Sequence, residues 1–167
     1  MSGHFNLIQE FKKSPAPLGI KVIAALTFIS AISFFLSFLS PPQSFQLVGA
    51  IFLSGVSLRI YFLVIVGIKN YITSSLLRIQ KRGWVIFVIY YICIILLNLV
   101  DIFTISETIL LKIEPNVNDI PRYLMSYKTS ATTGLLTNIA LLAYVLSKKK
   151  LFFKAAGAES LPTKTKK

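Results

Sequence analysis

The sequence predicts an all-α protein, a polytopic transmembrane four-helix bundle with short interfacial helices, and three observations lead there. First, the 167 residues are 54% hydrophobic and 14% charged, with a mean hydropathy of +0.71. An average soluble domain carries about a quarter charged residues, so the polar coat of a large soluble enzyme is missing. Second, four apolar runs are of the length needed to cross roughly 30 Å of hydrocarbon at about 1.5 Å per residue. Third, the basic residues concentrate at alternate ends of those runs, as the positive-inside rule demands.

Residues 1–17 form an N-terminal segment in which Phe5, Ile8 and Phe11 share one helical stripe, so they are expected to lie on the inner leaflet as an interfacial helix. A transmembrane domain then fills 18–147. Span one, 18–40, carries a single charge, Lys21, one turn from its start. A cleaved signal peptide is the rival reading. The run exceeds the roughly 7–15 residues of a signal core and no small-residue cleavage site follows, which favours a retained anchor. Pro41 and Pro42 stop the helix.

Span two is read as 45–68, interrupted by Arg59. In the half-polar stretch 69–80, Ile72, Leu76 and Ile79 recur at spacings of four and three, which predicts a helix lying in the interface or continuing the span. Span three, 84–103, opens on Lys81, Arg82 and Trp84, with the tryptophan at headgroup level and Asp101 towards the far end. In the loop 104–128, Ile105, Ile109, Leu110 and Ile113 fit one face of a short amphipathic helix ended by Pro115 and the polar run 116–119. Span four, 129–147, is hydroxyl-rich, as suits a helix packed on other helices, and a basic tail occupies 148–167.

Of 18 Lys and Arg, 14 fall in the N-terminal region, between spans two and three, and in the tail; Lys112, Arg122 and Lys128 lie in the loop after span three, leaving Arg59 inside span two. Both termini are therefore expected in the cytoplasm. The whole protein is expected in the plasma membrane of a prokaryote.

Arg59 is the foremost candidate site residue, because an arginine within an apolar span costs at least a few kcal/mol unless it snorkels or finds a partner. Counted from Phe45 it lies about 20 Å inward, near the depth of Asn138 in span four, and the two form a candidate intramembrane polar contact. Snorkelling is the structural alternative. Asn98 and Asp101, one turn apart near the outer end of span three, are a candidate outer polar cluster with Asp119 or Glu107, although an acid at a helix mouth is already solvated by headgroups.

Lys148, Lys149, Lys150 and Lys154, with Phe152 and Phe153 between them, point to contact with anionic lipid headgroups, a mobile tail being the alternative. Nucleic-acid binding needs a fold signature that is absent here. Cys93 and His4 are single residues of their type, which deprives zinc, haem and disulfide chemistry of their usual ligands. No phosphate loop, nucleophile elbow or HExxH motif occurs, so neither a cofactor nor a catalytic residue is assigned.

Residues 16–20, opening span one, Lys81 to Trp84, opening span three, and the basic aromatic end from Tyr144 to Phe153 resemble a family of small four-span integral membrane proteins of prokaryotes. The resemblance implies the four-span fold. That family has no established activity, so it implies no mechanism. The chain departs from the family pattern in the longer stretch between Gly67 and Trp84 and in Arg59. The expected role is a non-catalytic accessory or scaffold subunit bound to other integral membrane subunits, with a small transporter or channel as the first alternative and a lipid-interacting module as the second.

Overall fold

The structure, a computed structural model, describes residues 7–42, 44–48, 51–106 and 119–159, with side chains over 9–42, 53–106 and 119–154. In chain order the elements are α1 (Leu7–Lys13), α2 (Leu18–Leu39), β1 (Ser44–Val48), β2 (Ile51–Ser54), α3 (Gly55–Leu77), α4 (Lys81–Thr104), α5 (Ile120–Ser147) and α6 (Lys149–Glu159). Four of these, α2 to α5, are long and apolar enough to cross a membrane. Among the described residues the protein is a helical bundle with one short β hairpin, and its four long apolar helices fit a multi-pass membrane protein. Because the four spans alternate in direction, α1 and α6 lie at one face, the terminal face, opposite a hairpin face.

α2 follows the sequence expectation closely. Pro17 precedes it and its carbonyl accepts the Lys21 N–H at 3.0 Å; Ser40 closes it just before Pro41 and Pro42, where the residue ahead of a proline leaves the helical region. Along it the Thr27 and Ser33 hydroxyls return to the carbonyls of Ile23 and Ile29, so neither is left bare in an apolar setting.

Span two differs from the expectation at both ends. Residues 45–48 and 51–54 belong to two antiparallel strands that pair Ser44 with Ser54 and Phe45 with Leu53, not to a helix. Helix cannot run back through this junction, because Ser54 is extended (φ −145°, ψ 165°) and Gly55 has φ +56°, a conformation glycine adopts without steric cost. α3 therefore starts at Gly55 and needs its full 23 residues, to Leu77, to cross. The stretch from Lys69 continues the span rather than lying in the interface.

A tight turn joins α3 to α4. The Gln80 N–H donates to the Ser75 carbonyl at 2.9 Å and Ile79 occupies the left-handed region at φ 53°, the closure that usually employs glycine. α4 contains the expected span 84–103. α5 begins at Ile120, nine residues earlier than expected, so Arg122 and Lys128 are helical rather than part of a loop. The expected amphipathic helix on Ile109, Leu110 and Ile113 lies outside the described residues, as does Phe5.

The core gathers at the terminal face. Ile20, Ile23 and Ala24 of α2, Ile72, Leu76 and Leu77 of α3, Trp84, Phe87 and Tyr91 of α4, Val145 of α5 and Phe152 of α6 form one buried cluster. Helices approach closely there: a Cβ at Gly19 would overlap the Tyr144 ring, and one at Gly83 would overlap Ser75. α1 docks on the end of α3, where Glu10 pairs with Arg78 and Ser14 donates to the Leu77 carbonyl.

Candidate functional site

Among the described residues the buried cation is Lys69. It lies eight residues before the end of α3, about 12 Å from the terminal face, at a level where Ser30 of α2 and Tyr90 of α4 are about 18 and 14 Å from theirs. Only 7% of the residue is exposed. Its Nζ donates to the Ser30 Oγ at 2.7 Å and lies 5.1 Å from the Phe34 ring centroid and 5.4 Å from that of Tyr90. An ammonium has three donors, and here one meets a hydroxyl while two ring faces supply cation–π attraction. Phe62 meets Phe34 edge-on at 5.9 Å and Tyr91 meets Tyr90 at 5.5 Å, which holds the two rings in place. Thr73, one turn on, donates to the Lys69 carbonyl at 2.9 Å.

Sequence reasoning counted Lys69 among the inner cations while leaving open that the stretch 69–80 continues the span. Counting span two from Phe45 used up its length by Ile68; moving the start to Gly55 carries Lys69 into the membrane. The run of Ile72 and Leu76 beyond it was the available signal.

The same shift relocates Arg59. It is the fifth residue of α3, exposed, about 6 Å from the helix start and about 27 Å from the terminal face, whereas Asn138 is about 14 Å from that face. The two are not brought together, since their depths differ by roughly 13 Å, and Arg59 lies at headgroup level by the hairpin. The expected polar contact is absent from the described residues.

Asn98 and Asp101 remain one turn apart near the hairpin face, half-buried, and Asp101 is near enough to Tyr127 of α5 to act on it electrostatically. Asp119 does not join them. Its Oδ1 accepts the Arg122 N–H at 3.1 Å and caps α5. Glu107 lies outside the described residues.

Lys149, Lys150 and Lys154 of the tail sit on a folded element rather than a loose end. α6 turns back so that Phe152 is fully buried in the core, while Phe153 packs edge-on against Trp84 at 5.5 Å. Lys149 Nζ lies 5.3 Å from the Phe153 centroid and 5.8 Å from Trp84; Lys81 Nζ lies 4.8 Å from Phe153, and Lys148 Nζ 5.6 Å from Tyr144. Trp84 also donates its indole N–H to the Val145 carbonyl at 3.2 Å, tying α4 to α5. Lys150 and Lys154 are exposed on the same short helix.

α5 is the least covered span. In its apolar stretch 6% of the residues are buried, against 39% for α3. Thr129, Thr132, Thr133 and Thr137 are all exposed, each hydroxyl returning to a carbonyl four residues back at 2.8–2.9 Å. Leu124, Met125, Lys128, Thr129 and Thr132 line a groove of about 510 Å³ on this helix.

These features fit a multi-pass helical membrane protein with, among the described residues, one buried cation and one largely bare span. Comparison with protein-family models, with curated proteins and with solved structures finds no match.

Proposed function

We propose that this protein is a non-catalytic accessory or scaffold subunit of a larger membrane assembly, and that α5 is the helix through which it docks against a membrane-spanning helix of another subunit. The observation that carries the reading is the bare, threonine-rich face of α5. In lipid no hydrophobic force drives helices together, so association rests on close packing, which small side chains permit. The threonine hydroxyls are already satisfied within α5, so the face demands no polar partner, and Leu136 adds apolar surface on the same side of the helix. Supporting the non-catalytic part is the lack of nucleophile, phosphate-loop and metal motifs in the sequence.

The same reading puts the protein, like the small four-span proteins it resembles, in a prokaryotic plasma membrane with the terminal face cytoplasmic. With the helix boundaries in place, 13 Lys and Arg belong to the terminal side and four to the hairpin side, Lys69 being between.

A photocrosslinker at Thr133 or Leu136 in native membranes tests the docking helix, with Leu26 and Ile29 on the exposed face of α2 as controls. A discrete hetero-adduct from the α5 positions alone, lost when Thr129→Trp is added on the same face, is the expected result. Equal adducts from α2, or adducts between copies of this chain alone, would overturn it. A small transporter is the second reading, favoured by Lys69: substrate-dependent flux in liposomes, abolished by Lys69→Met, would replace the subunit reading.

A further inference from the structure

We infer that the corner where α4 and α6 meet is a binding site for the phosphate of an anionic phospholipid, held between Lys81 and Lys149, with the acyl chains laid along α4. The inference does not depend on the subunit reading. Both ammonium groups face the Phe153 ring, at 4.8 and 5.3 Å from its centroid, which places them within roughly a Debye length of each other. Neither is paired with an acid among the described residues, and Arg82, Lys148 and Lys150 add like charge nearby. Two cations converging on one ring repel, and an anion between them removes that repulsion.

Position selects the source of the anion. Lys81 opens α4, and Val85, Ile89, Ile92 and Leu96 follow on the same side of the helix, all exposed. A lipid whose phosphate sits at Lys81 therefore meets an apolar stripe directly beneath its headgroup, whereas free phosphate gains nothing from that stripe. Phe152, buried among the spans, anchors α6 and keeps Lys149 at this corner. The sequence alone pointed to the tail cations as a diffuse anchor; the folded corner instead pairs one tail lysine with one lysine from the start of α4.

Trp84, the single tryptophan of the chain, lies against this corner and serves as the reporter. The full-length protein is reconstituted in phosphatidylcholine vesicles containing one-fifth phosphatidylglycerol, with bromine on the acyl chains of one lipid or the other, and the relative affinity is read from quenching of Trp84. The expected result is a preference for phosphatidylglycerol that falls by about 5-fold for each of Lys81→Gln and Lys149→Gln, the fold-change matching about 1 kcal/mol per basic residue near an anionic surface. It should survive in the Lys81→Arg/Lys149→Arg variant and in Lys12→Gln/Lys13→Gln, which removes equal charge elsewhere on the same face.

An unchanged preference in the double glutamine variant would overturn the site. So would equal loss in the Lys12/Lys13 variant, which would indicate diffuse surface charge, or loss in the arginine variant, which would indicate a change of fold. Relief of the quenching by millimolar inorganic phosphate would overturn the lipid as ligand.

Discussion

Replacing Lys69 by methionine should leave the bundle nearly as stable as before, while replacing its hydroxyl partner should not. A lysine at the centre of a membrane helix costs about 2.5–3.5 kcal/mol on insertion scales. Against this stand one hydrogen bond to a charged group, about 1.5–3 kcal/mol, and two desolvated cation–π contacts of up to about 2 kcal/mol each. With the hydrogen bond at mid-range and each ring contact at about 1 kcal/mol, the gains exceed the cost by only about 1 kcal/mol, so Lys69→Met, which keeps an unbranched apolar stem among Phe34, Phe62 and Tyr90, is expected to change stability by no more than about 1.5 kcal/mol. Ser30→Ala removes the 2.7 Å partner and leaves the charge buried, at a cost of about 1.5–3 kcal/mol.

In the Lys69→Met background the Ser30→Ala change should cost less than about 0.5 kcal/mol, because the hydroxyl no longer has a cation to satisfy. Reversible unfolding in mixed micelles, run as a double-mutant cycle, reads the coupling directly. Equal cost of Ser30→Ala in both backgrounds would refute the pairing, and a loss above about 3 kcal/mol for Lys69→Met alone would show that the cation is a net stabiliser.

The remaining predictions concern topology and the two ends of the bundle. In a Cys93→Ser background, single cysteines at Gln80 and Lys154 should be labelled from the cytoplasmic side and one at Pro42 from the other; the reverse pattern would invert the orientation. Arg59→Leu should shift stability by less than about 1 kcal/mol in the same micelle assay, because the guanidinium sits at headgroup level rather than in hydrocarbon. Phe152→Ala should cost about 3 kcal/mol and expose α6 to protease while the four spans stay protected; an uncut α6 would show that the aromatic anchor is dispensable.

How far the fold could be read from the sequence depended on local punctuation. Span one was legible because prolines bracket it. Span two was not, since the strands SFQLV and IFLS are as apolar as any helix turn, and short apolar runs cannot be told apart by periodicity. Gly49 and Gly55 were the cues, and Gly55 does end the extended stretch. Lys69 was lost for a related reason: a lysine at the edge of an apolar run reads as loop, and only Ser30, Phe34 and Tyr90, from two other helices, make it tolerable inside. Trp84 and Phe152 each stood out in the sequence, yet their shared corner brings together residues about 70 positions apart and no local pattern encodes it.

The distribution of packing along the bundle bears on how the protein is built to work. Buried residues of α2 stop at Ala31, those of α4 stop at Tyr91, and α5 buries Val145 near its terminal end. Beyond those points Leu36 and Leu39 of α2, Leu96, Val100 and Phe103 of α4, and Leu136 of α5 are exposed. The terminal half is thus knit by Trp84, Tyr144 and Phe152, while in the hairpin half α3 still buries Leu58 and Phe62 but α2, α4 and α5 present apolar and threonine surface. A foreign helix can lie along α5 in the hairpin half without disturbing the main core, because that cluster lies on the other side of Lys69, while Leu58 and Phe62 keep α3 packed beside α2. The two proposals therefore draw on different halves of the molecule. Lipid at the Lys81–Lys149 corner would fix the terminal end in the headgroup plane, and that in turn would set the depth at which α5 is offered to a partner.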